Sequence, residues 1–333
     1  MKLNTKNVAR YLKTLNLFEE VNWSAVKVEE ITEYTNVNFV FSALINSENY
    51  QKIYLKQAFS FVKIAPKFPA PIERQKYEKL SIDYLQKFWG DRIPKVIHYD
   101  DKNNILVLTD VGNNAVLLAE EIKNGRLNFQ IGKDFGLMMA QLHSPTFSTN
   151  SYPVRNKRVN DKHIDFIFDF RLRGSREIAP QETEKLFQES LKAKKSIIYG
   201  DWASKNILVT GKKVRIIDFE NLTRFDPAFD IGYALAHWVL DLDKKNQKQM
   251  VKFFQKFEKA YSSLWVNQKE AKKILKRASR YTGAMMLHRL AGVKNTNRME
   301  EYLAKEVSLI EIARKFLKGN YVSPSEGLKS FKI

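Results

Sequence analysis

Three polar side chains in one stretch of the chain could together transfer a phosphoryl group. Asp201 is followed five residues later by Asn206, and Asp218 comes shortly afterwards. Transfer from ATP needs one carboxylate that orients and deprotonates the acceptor hydroxyl. It also needs an amide and a second carboxylate that hold Mg²⁺ against the phosphates. The residue types and their order therefore predict a phosphotransferase that depends on ATP and Mg²⁺.

The residues around this set are typical of a loop followed by a hairpin. Gly200 precedes Asp201, and the apolar runs Ile207–Val209 and Val214–Ile217 are predicted to be strands that fix the polar groups. An Asp-x₄-Asn spacing is common by chance. The prediction therefore depends on the whole series in this order, including the later Asp230.

The segment Tyr199–Glu220 resembles the aminoglycoside phosphotransferase/choline kinase family, which has a protein-kinase-like fold. The family loop usually reads His-Gly-Asp-x₄-Asn, and its metal motif reads Ile-Asp-x-Glu. The resemblance implies that Asp201 is the catalytic base and that Asn206 and Asp218 are Mg²⁺ ligands. Glu220 is a further candidate, either near the metal or facing the substrate.

Residues outside the loop are expected to support it. The segment Asp226–Gly232 resembles the part of the family that follows the metal motif, which implies that Asp230 braces the catalytic loop. His143 matches a Leu-His helix end of the family and is predicted to be structural. His237 and His288 lie in apolar helical segments and are predicted to be packing residues.

A second group of residues is expected to bind the nucleotide. The run Ile53–Ala58 resembles the third strand of a kinase amino lobe, and Lys56 is therefore predicted to neutralise the ATP phosphates and to pair with a helix glutamate. Glu78 is the favoured partner, and Glu73 is the alternative.

The loop that covers the phosphates is expected near Asn38 and Phe39, although this stretch contains no glycine. Leu106–Val111 is expected to be the hinge that contacts adenine, with Thr109 and Val111 as its binding residues.

Two residues of the loop depart from the family pattern. Tyr199 stands where the family has histidine, and activity is expected to be retained because a phenol can also donate a hydrogen bond. The order Asp-x-Ala-x-Lys-Asn resembles the tyrosine-kinase loop Asp-Leu-Ala-Ala-Arg-Asn. Lys205 is therefore hypothesised to reach the transferring phosphate or Asp201, and the alternative is a solvated lysine.

Composition excludes some classes of protein. The 333 residues contain no cysteine, which excludes disulfides, thiolate metal sites and a cysteine nucleophile. No apolar run approaches the roughly 18 residues of a membrane span, and the basic amino terminus lacks the apolar stretch of a secretory signal. A cytoplasmic protein without a membrane partner is expected.

The formal net charge of +19 is high. It could indicate nucleic acid, an anionic surface or an anionic substrate. The lysines are scattered along the sequence, however, which favours solvated faces over a nucleic-acid partner. The local runs Lys192–Lys195 and Lys269–Arg277 are predicted to lie on exposed helix faces.

The order of elements predicts an α+β protein with two lobes. A β-rich lobe (1–111) would bind the nucleotide, and a larger, mainly helical lobe (112–333) would carry the catalytic and substrate residues. The tail after Gly319 is predicted to be irregular. The strands of the first lobe are expected at Val26–Tyr34, Asn38–Ile45, Gln51–Gln57, Lys95–Tyr99 and Ile105–Thr109, with a helix from Pro71 to Phe88. The first three strands are expected to form an antiparallel meander, and the apolar spacing of Ile131–Leu142 in the second lobe predicts a helix.

The acceptor is predicted to be a small hydroxyl compound of sugar or amino-alcohol type. Three regions, Tyr54–Ala58, Glu73–Asp100 and Leu287–Leu303, are most similar to methylthioribose-kinase-like phosphotransferases. An aminoglycoside or a choline/ethanolamine kinase remains an alternative. An alternative of another class is a non-catalytic, kinase-like binding protein, with nucleic acid as a candidate ligand. The sequence makes no prediction of the oligomeric state.

Overall fold

The computed structural model of the chain describes residues 1–47, 50–112, 114–144, 170–193, 195–240, 247–293 and 299–330. The chain divides into two compact units. Unit 1 comprises Met1–Ala115 together with Arg215–Glu220, and unit 2 comprises Val116–Val214 together with Asn221–Ile333. The sequence prediction treated each lobe as one continuous segment, whereas the short segment that carries Asp218 belongs with the amino-terminal residues.

The elements of unit 1 are α1 (Val8–Thr14), β1 (Lys27–Ile31), β2 (Phe39–Leu44), β3 (Lys52–Gln57), β4 (Phe61–Val62), β5 (Ala65–Pro69), α2 (Arg74–Trp89), β6 (Val96–Asp100) and β7 (Ile105–Thr109). Five of the strands form an antiparallel sheet in the order β1-β2-β3-β7-β6. The predicted antiparallel meander of the first three strands is confirmed. Lys56 in β3 lies opposite Val40 in β2 and Leu106 in β7, so strands flank it on both sides.

The core of unit 1 forms where α1 covers the sheet. Val8 and Leu12 of α1 are buried in one apolar cluster with Phe41, Ile53 and Leu55 of the sheet. These side chains sit at alternate positions of the strands, which places them on one face. Packing of this face makes the central strand β3 a rigid support for Lys56.

Unit 2 is mainly helical and also contains short strands. Its elements are β8 (Val116–Leu117), α3 (Leu118–Lys123), α4 (Ile131–His143), α5 (Phe170–Ile178), α6 (Pro180–Lys192), β9 (Ser196–Ile198), β10 (Ile207–Thr210), β11 (Lys213–Ile216), β12 (Thr223–Phe225), α7 (Ala228–Leu240), α8 (Gln247–Ser263), α9 (Gln268–Val293), α10 (Met299–Lys318) and α11 (Pro324–Lys329). The strand β8 pairs antiparallel with β10, and β9 pairs antiparallel with β12. The chain passes from unit 2 into unit 1 within β11.

The helices α7 and α9 approach each other closely at Gly232. A Cβ atom at this position would overlap the side chain of Tyr281 in α9, so only glycine permits the contact. Most of α7 is buried, including Asp230 and Tyr233. The close packing fixes the helix that carries these two polar side chains.

The carboxyl-terminal tail differs from the prediction of an irregular segment, because it contains α11. Ser323 caps this helix by accepting a hydrogen bond from the backbone N–H of Glu326, and Pro324 occupies its first position. Glu258 of α8 accepts a further bond from the backbone N–H of Ser325. The Ser-Pro pair is therefore a helix start rather than a sign of irregular chain.

The fold class is nevertheless as predicted, a small β-rich unit followed by a larger helical one. In the described part of the chain, no helix combines the length and the apolar character that a membrane crossing requires.

Candidate active site

The loop that carries Asp201 is held by a buried carboxylate. The backbone N–H groups of Tyr199 and Gly200 donate to the two oxygens of Asp230, at 2.8 and 2.9 Å. Asp230 lies in the first turn of α7 and is fully buried. Gly200 has φ +80°, and a Cβ there would lie 3.0 Å from the carbonyl oxygen of Asn221. The loop therefore needs glycine at this position, and Asp230 braces it as the family resemblance implied.

His143 supports the same carboxylate from the other side. Its Nε2 lies 3.1 Å from Oδ2 of Asp230, and its Nδ1 lies 3.0 Å from the hydroxyl of Tyr261. All three side chains are fully buried. A phenol, an imidazole and a carboxylate thus form one internal chain of hydrogen bonds that ends at the loop, which matches the structural role predicted for His143.

The carboxylate of Asp201 is oriented by three donors. Its Oδ1 accepts from the hydroxyl of Tyr233 at 2.7 Å and from Nη2 of Arg171 at 3.2 Å. Its Oδ2 accepts from Nδ2 of Asn206 at 2.9 Å. These donors come from α7, α5 and a short 3₁₀ turn. The side chain is 9% exposed, so it is fixed in direction but still reachable.

The sequence reasoning missed Arg171 and Tyr233 as neighbours of Asp201. The guanidinium of Arg171 also donates to the carbonyl oxygen of Gly200, and it stacks 4.3 Å above the ring of Tyr233. Tyr233 follows Asp230 by three residues on one helix, which places both on the same face, so its position was open to prediction. Nothing in the sequence marked Arg171, which lies 30 residues from Asp201.

The hydroxyl of Tyr233 is a permanent donor. Burial raises the pKa of this phenol, the charge of Arg171 lowers it, and the charge of Asp201 raises it again, with a net pKa far above the usual range. The phenol therefore stays protonated, and its bond to Asp201 is retained across the range in which enzymes work.

Lys205 lies in the 3₁₀ turn and is half-buried. Burial is the largest cause of the lowered pKa of His237, followed by the positive charges of Arg289 and Arg171 and then that of Lys205. The guanidinium of Arg171 lies 3.2 Å from the Asp201 carboxylate. The hypothesis that Lys205 reaches the transferring phosphate or Asp201 stays a prediction.

In unit 1, Lys56 is surrounded by carboxylates. Its Nζ lies 2.7 Å from Oε2 of Glu78, 2.5 Å from Oδ1 of Asp218 and 3.9 Å from Oε2 of Glu220. Burial alone would lower the pKa of Lys56, but these charges outweigh it and raise the pKa. Glu73, the alternative partner from the sequence, is exposed and precedes the first residue of α2.

The same three carboxylates form a group that could hold a cation. One oxygen each of Glu78, Asp218 and Glu220 lies within 4.8 Å of the others. Burial raises the pKa of both Glu78 and Glu220, and the nearby charge of Lys56 lowers it. Asp218 has φ +71°, a strained conformation for a residue with a Cβ. Strain of this kind is often retained where a side chain must be aimed at a ligand.

Asn38 and Phe39 occupy different environments. Asn38 is buried, and its Nδ2 donates to Oε2 of Glu220 at 2.6 Å while its Oδ1 accepts from Nε of Arg74 at 2.9 Å. Phe39 is half-buried and packs edge-on against Phe59. The amide of Asn38 thus orients Glu220, and a contact of Asn38 or Phe39 with phosphate stays a prediction.

The predicted hinge follows β7 directly. Thr109 is the last residue of β7, and its Oγ1 accepts from the backbone N–H of Lys95 at 2.9 Å. Val111 lies two residues further on and is half-buried. Their contact with adenine stays a prediction.

Comparisons with known proteins agree with this geometry. Residues 90–265, more than half of the 333, match the model of the phosphotransferase enzyme family known as APH. A methylthioribose kinase from Bacillus cereus is 23% identical over 295 residues, covering 78% of this chain and 73% of its own length.

Solved structures show a similar fold. A choline kinase from Cryptosporidium parvum Iowa II has a TM-score of 0.59 and 13% identity, with 98% of this chain and 99% of that chain covered. An amicoumacin kinase in complex with AMP-PNP, Ca²⁺ and Ami has a TM-score of 0.59 and 12% identity, covering 98% and 97%. The resemblance recognised in Tyr199–Glu220 is confirmed: the chain belongs to the phosphotransferase enzyme family and is a small-molecule kinase.

Proposed function

We propose that this kinase transfers the γ-phosphoryl group of ATP to a hydroxyl group of a small molecule, with Asp201 as the catalytic base. The proposal rests on one observation above all, the three donors that hold the Asp201 carboxylate in a single direction. A base that is already oriented needs no reorganisation when the acceptor hydroxyl arrives. Asp201 would accept the hydroxyl proton as the acceptor oxygen bonds to the γ-phosphorus and the bond to the β-phosphate oxygen breaks.

We assign nucleotide binding to unit 1. The ammonium of Lys56, held by Glu78 at 2.7 Å, would neutralise phosphate oxygens of ATP. Thr109 and Val111 would contact adenine through their backbone, and Asn38 and Phe39 would lie beside the phosphates.

The residues that we assign to Mg²⁺ each offer oxygen atoms, which are the ligands that Mg²⁺ prefers. Asp218 and Glu220 are carboxylates from the group described above. Asn206 in unit 2 donates its Nδ2 to Asp201, which leaves its Oδ1 as the atom to offer a cation. Mg²⁺ would supply neutralising charge to the phosphates when bound. The similar amicoumacin kinase was solved with AMP-PNP and Ca²⁺, which supports a nucleotide and a divalent cation as partners.

We propose that the acceptor is a neutral or anionic hydroxyl compound, such as a sugar of the methylthioribose type. The guanidinium of Arg171 lies directly at Asp201. Burial lowers the pKa of His237 and of His288, and the positive charges of Arg289 and Arg171 lower both pKa values further. This positive surrounding would repel a polycationic aminoglycoside or the quaternary ammonium of choline.

A screen of ATP consumption tests this choice of acceptor. Purified protein with MgATP would be offered sugars, sugar acids, choline, ethanolamine and aminoglycosides under identical conditions. We expect turnover with a sugar or a sugar acid and none above background with the cationic compounds. Turnover confined to choline or an aminoglycoside would overturn the acceptor class but not the kinase mechanism.

Removal of the Tyr233 hydroxyl tests how Asp201 is positioned. Tyr233→Phe keeps the ring that packs below Arg171 but deletes the donor to Oδ1. We expect kcat to fall by about 10-fold, because a charge-assisted hydrogen bond contributes about 1.5–3 kcal/mol, only part of which is specific to the transition state. The KM for ATP should be unchanged. Steady-state kinetics measures both, and a higher KM for ATP with normal kcat would contradict the positioning role.

The non-catalytic binding protein that the sequence left open is not proposed, because the chain is a small-molecule kinase. Nucleic-acid binding as an additional property of the +19 charge would appear as an affinity that weakens steeply with added salt.

A further inference from the structure

A cavity of about 660 Å³ in unit 2 collects basic side chains from three helices, α6, α9 and α10. Two acidic residues, Glu182 and Glu189, also line it. None of the residues proposed above for catalysis or nucleotide binding belongs to its lining. Its lysines are Lys185, Lys192, Lys273, Lys276 and Lys318, and its arginines are Arg277 and Arg280.

The two runs of charge noted in the sequence converge here. Lys192 comes from the run Lys192–Lys195, and three lining residues come from the run Lys269–Arg277. The sequence predicted that these runs lie on exposed helix faces, and the lysines that line the cavity are exposed. The basic residues are therefore scattered along the chain but grouped in space.

The two arginines of the cavity are held in place by hydrogen bonds. Arg277 donates from Nε and Nη2 to the two oxygens of Asp226, at 2.9 and 3.0 Å, and Asp226 is fully buried. Arg280 donates from Nε to the carbonyl oxygen of Leu317 at 3.2 Å and from Nη1 to Glu189. Side chains that are already held in place lose little entropy when a ligand arrives.

The charge of the cavity is only partly balanced. Asp226 and Glu189 offset the two arginines. The five lysines form no ion pair within the part of the chain that the structure describes. Like charges gathered around one cavity repel each other, and an anion with several charges would relieve that repulsion.

The lining also restricts the kind of ligand. Apolar side chains in it are limited to Ala193 and Leu317, so an extended hydrophobic ligand would find few contacts. The volume lies in the range of about 300–1,000 Å³ that is typical of small-molecule sites. We propose that this cavity, formed by α6, α9 and the end of α10, binds a small polyanion that carries several phosphate groups.

Calorimetric titration of inorganic triphosphate without Mg²⁺ tests the proposal. Four proteins would be compared: wild type, Lys273→Gln/Lys276→Gln in the cavity, Lys248→Gln/Lys259→Gln on α8, and Lys56→Ala. The α8 pair is a matched control, because it removes the same charge from two exposed lysines outside the cavity. The cavity pair should weaken binding at least about tenfold, because it removes two of the positive charges that line the cavity. The control pair should stay within about twofold of wild type at moderate ionic strength, because distant surface charges are screened. Lys56→Ala removes the phosphate contact proposed in unit 1, so it should abolish any second binding event there and leave the event that the cavity pair weakens.

Two outcomes of the triphosphate titration would contradict the proposed site. Equal losses in both lysine pairs would mean that triphosphate responds only to overall charge. Loss in Lys56→Ala with normal binding in the cavity pair would place triphosphate at the nucleotide residues instead. A parallel titration with a short single-stranded oligonucleotide tests for a nucleic-acid surface. If the oligonucleotide binds more tightly than triphosphate and both lysine pairs weaken it equally, the basic residues form such a surface and the proposed site is wrong. All variants alter exposed lysines except Lys56→Ala, so melting curves should confirm intact folding.

Discussion

Asp201→Asn is expected to lower kcat by about 10²–10⁴-fold, the usual contribution of a general base. The variant keeps the size of the side chain but removes the carboxylate that is proposed to accept the proton of the acceptor hydroxyl. Three donors point at this position, from Tyr233, Arg171 and Asn206. An asparagine can accept from the first two through its oxygen, but its NH₂ group would then face the amide nitrogen of Asn206.

The loss should therefore appear in kcat rather than in nucleotide binding. ATP affinity, measured by titration, should remain near the wild-type value because Lys56 and its carboxylates lie in unit 1. Asp101→Asn is the matched control, since Asp101 is exposed and loses the same charge. If Asp201→Asn turns over at the wild-type rate, the proposed mechanism is wrong.

The sequence predicted the elements that follow simple periodicity. The meander of unit 1 and the helix α4 were found because alternation with period two and apolar residues with helical spacing persist over several residues. The strands β4 and β8 have two residues each, too few for any period to be recognised. They depend on pairing with a distant or irregular partner, which local sequence does not encode.

The site was predictable where spacing along the chain corresponds to spacing in the fold. Asp201 and Asn206 form a hydrogen bond across one short turn, so their relation follows from five residues of sequence. Lys56 and Glu78 were placed by resemblance, and the structure brings them together. Arg171 reaches Asp201 from another helix, and only the tertiary fold could reveal it.

The grouping of basic residues was hidden for the same reason. Judged along the sequence, the lysines are scattered, which favoured solvated faces. Each helix places lysines and arginines that are several residues apart on one face. Packing of α6, α9 and α10 then brings several of these faces around one cavity. Net charge and local runs therefore carry little information about charge in space.

Lys56→Met is expected to have the second large effect, on activity and on stability together. The ammonium of Lys56 is the shared counter-charge of Glu78, Asp218 and Glu220. Its loss removes a positive group proposed to stabilise the transferring phosphates, which should lower kcat/KM for ATP by about 10²-fold or more. It also removes the ammonium from among three carboxylates that lie close together, and breaking a buried ion pair in this way costs about 3–5 kcal/mol.

The stability loss should depend on pH in a definite direction. Burial already raises the pKa of Glu78 and Glu220, and the charge of Lys56 opposes that rise. Without Lys56 the pKa values in the folded state rise further above those of the unfolded chain. Protonation then favours the folded state, so Lys56→Met should regain stability as the pH falls from neutral towards the unfolded glutamate pKa of about 4.5. Urea unfolding at several pH values measures this.

Two further variants separate the causes. Lys52→Met makes the same change in the same strand, where Lys52 lies above the ring of Tyr54, and it should cost no more than about 1 kcal/mol. The double variant Lys56→Met/Glu78→Gln also removes the negative charge of Glu78. It should recover part of the stability at neutral pH but none of the activity, because the cation is still missing. Recovery of activity in the double variant would show that Lys56 serves only to neutralise Glu78, and that the phosphates are stabilised by another group.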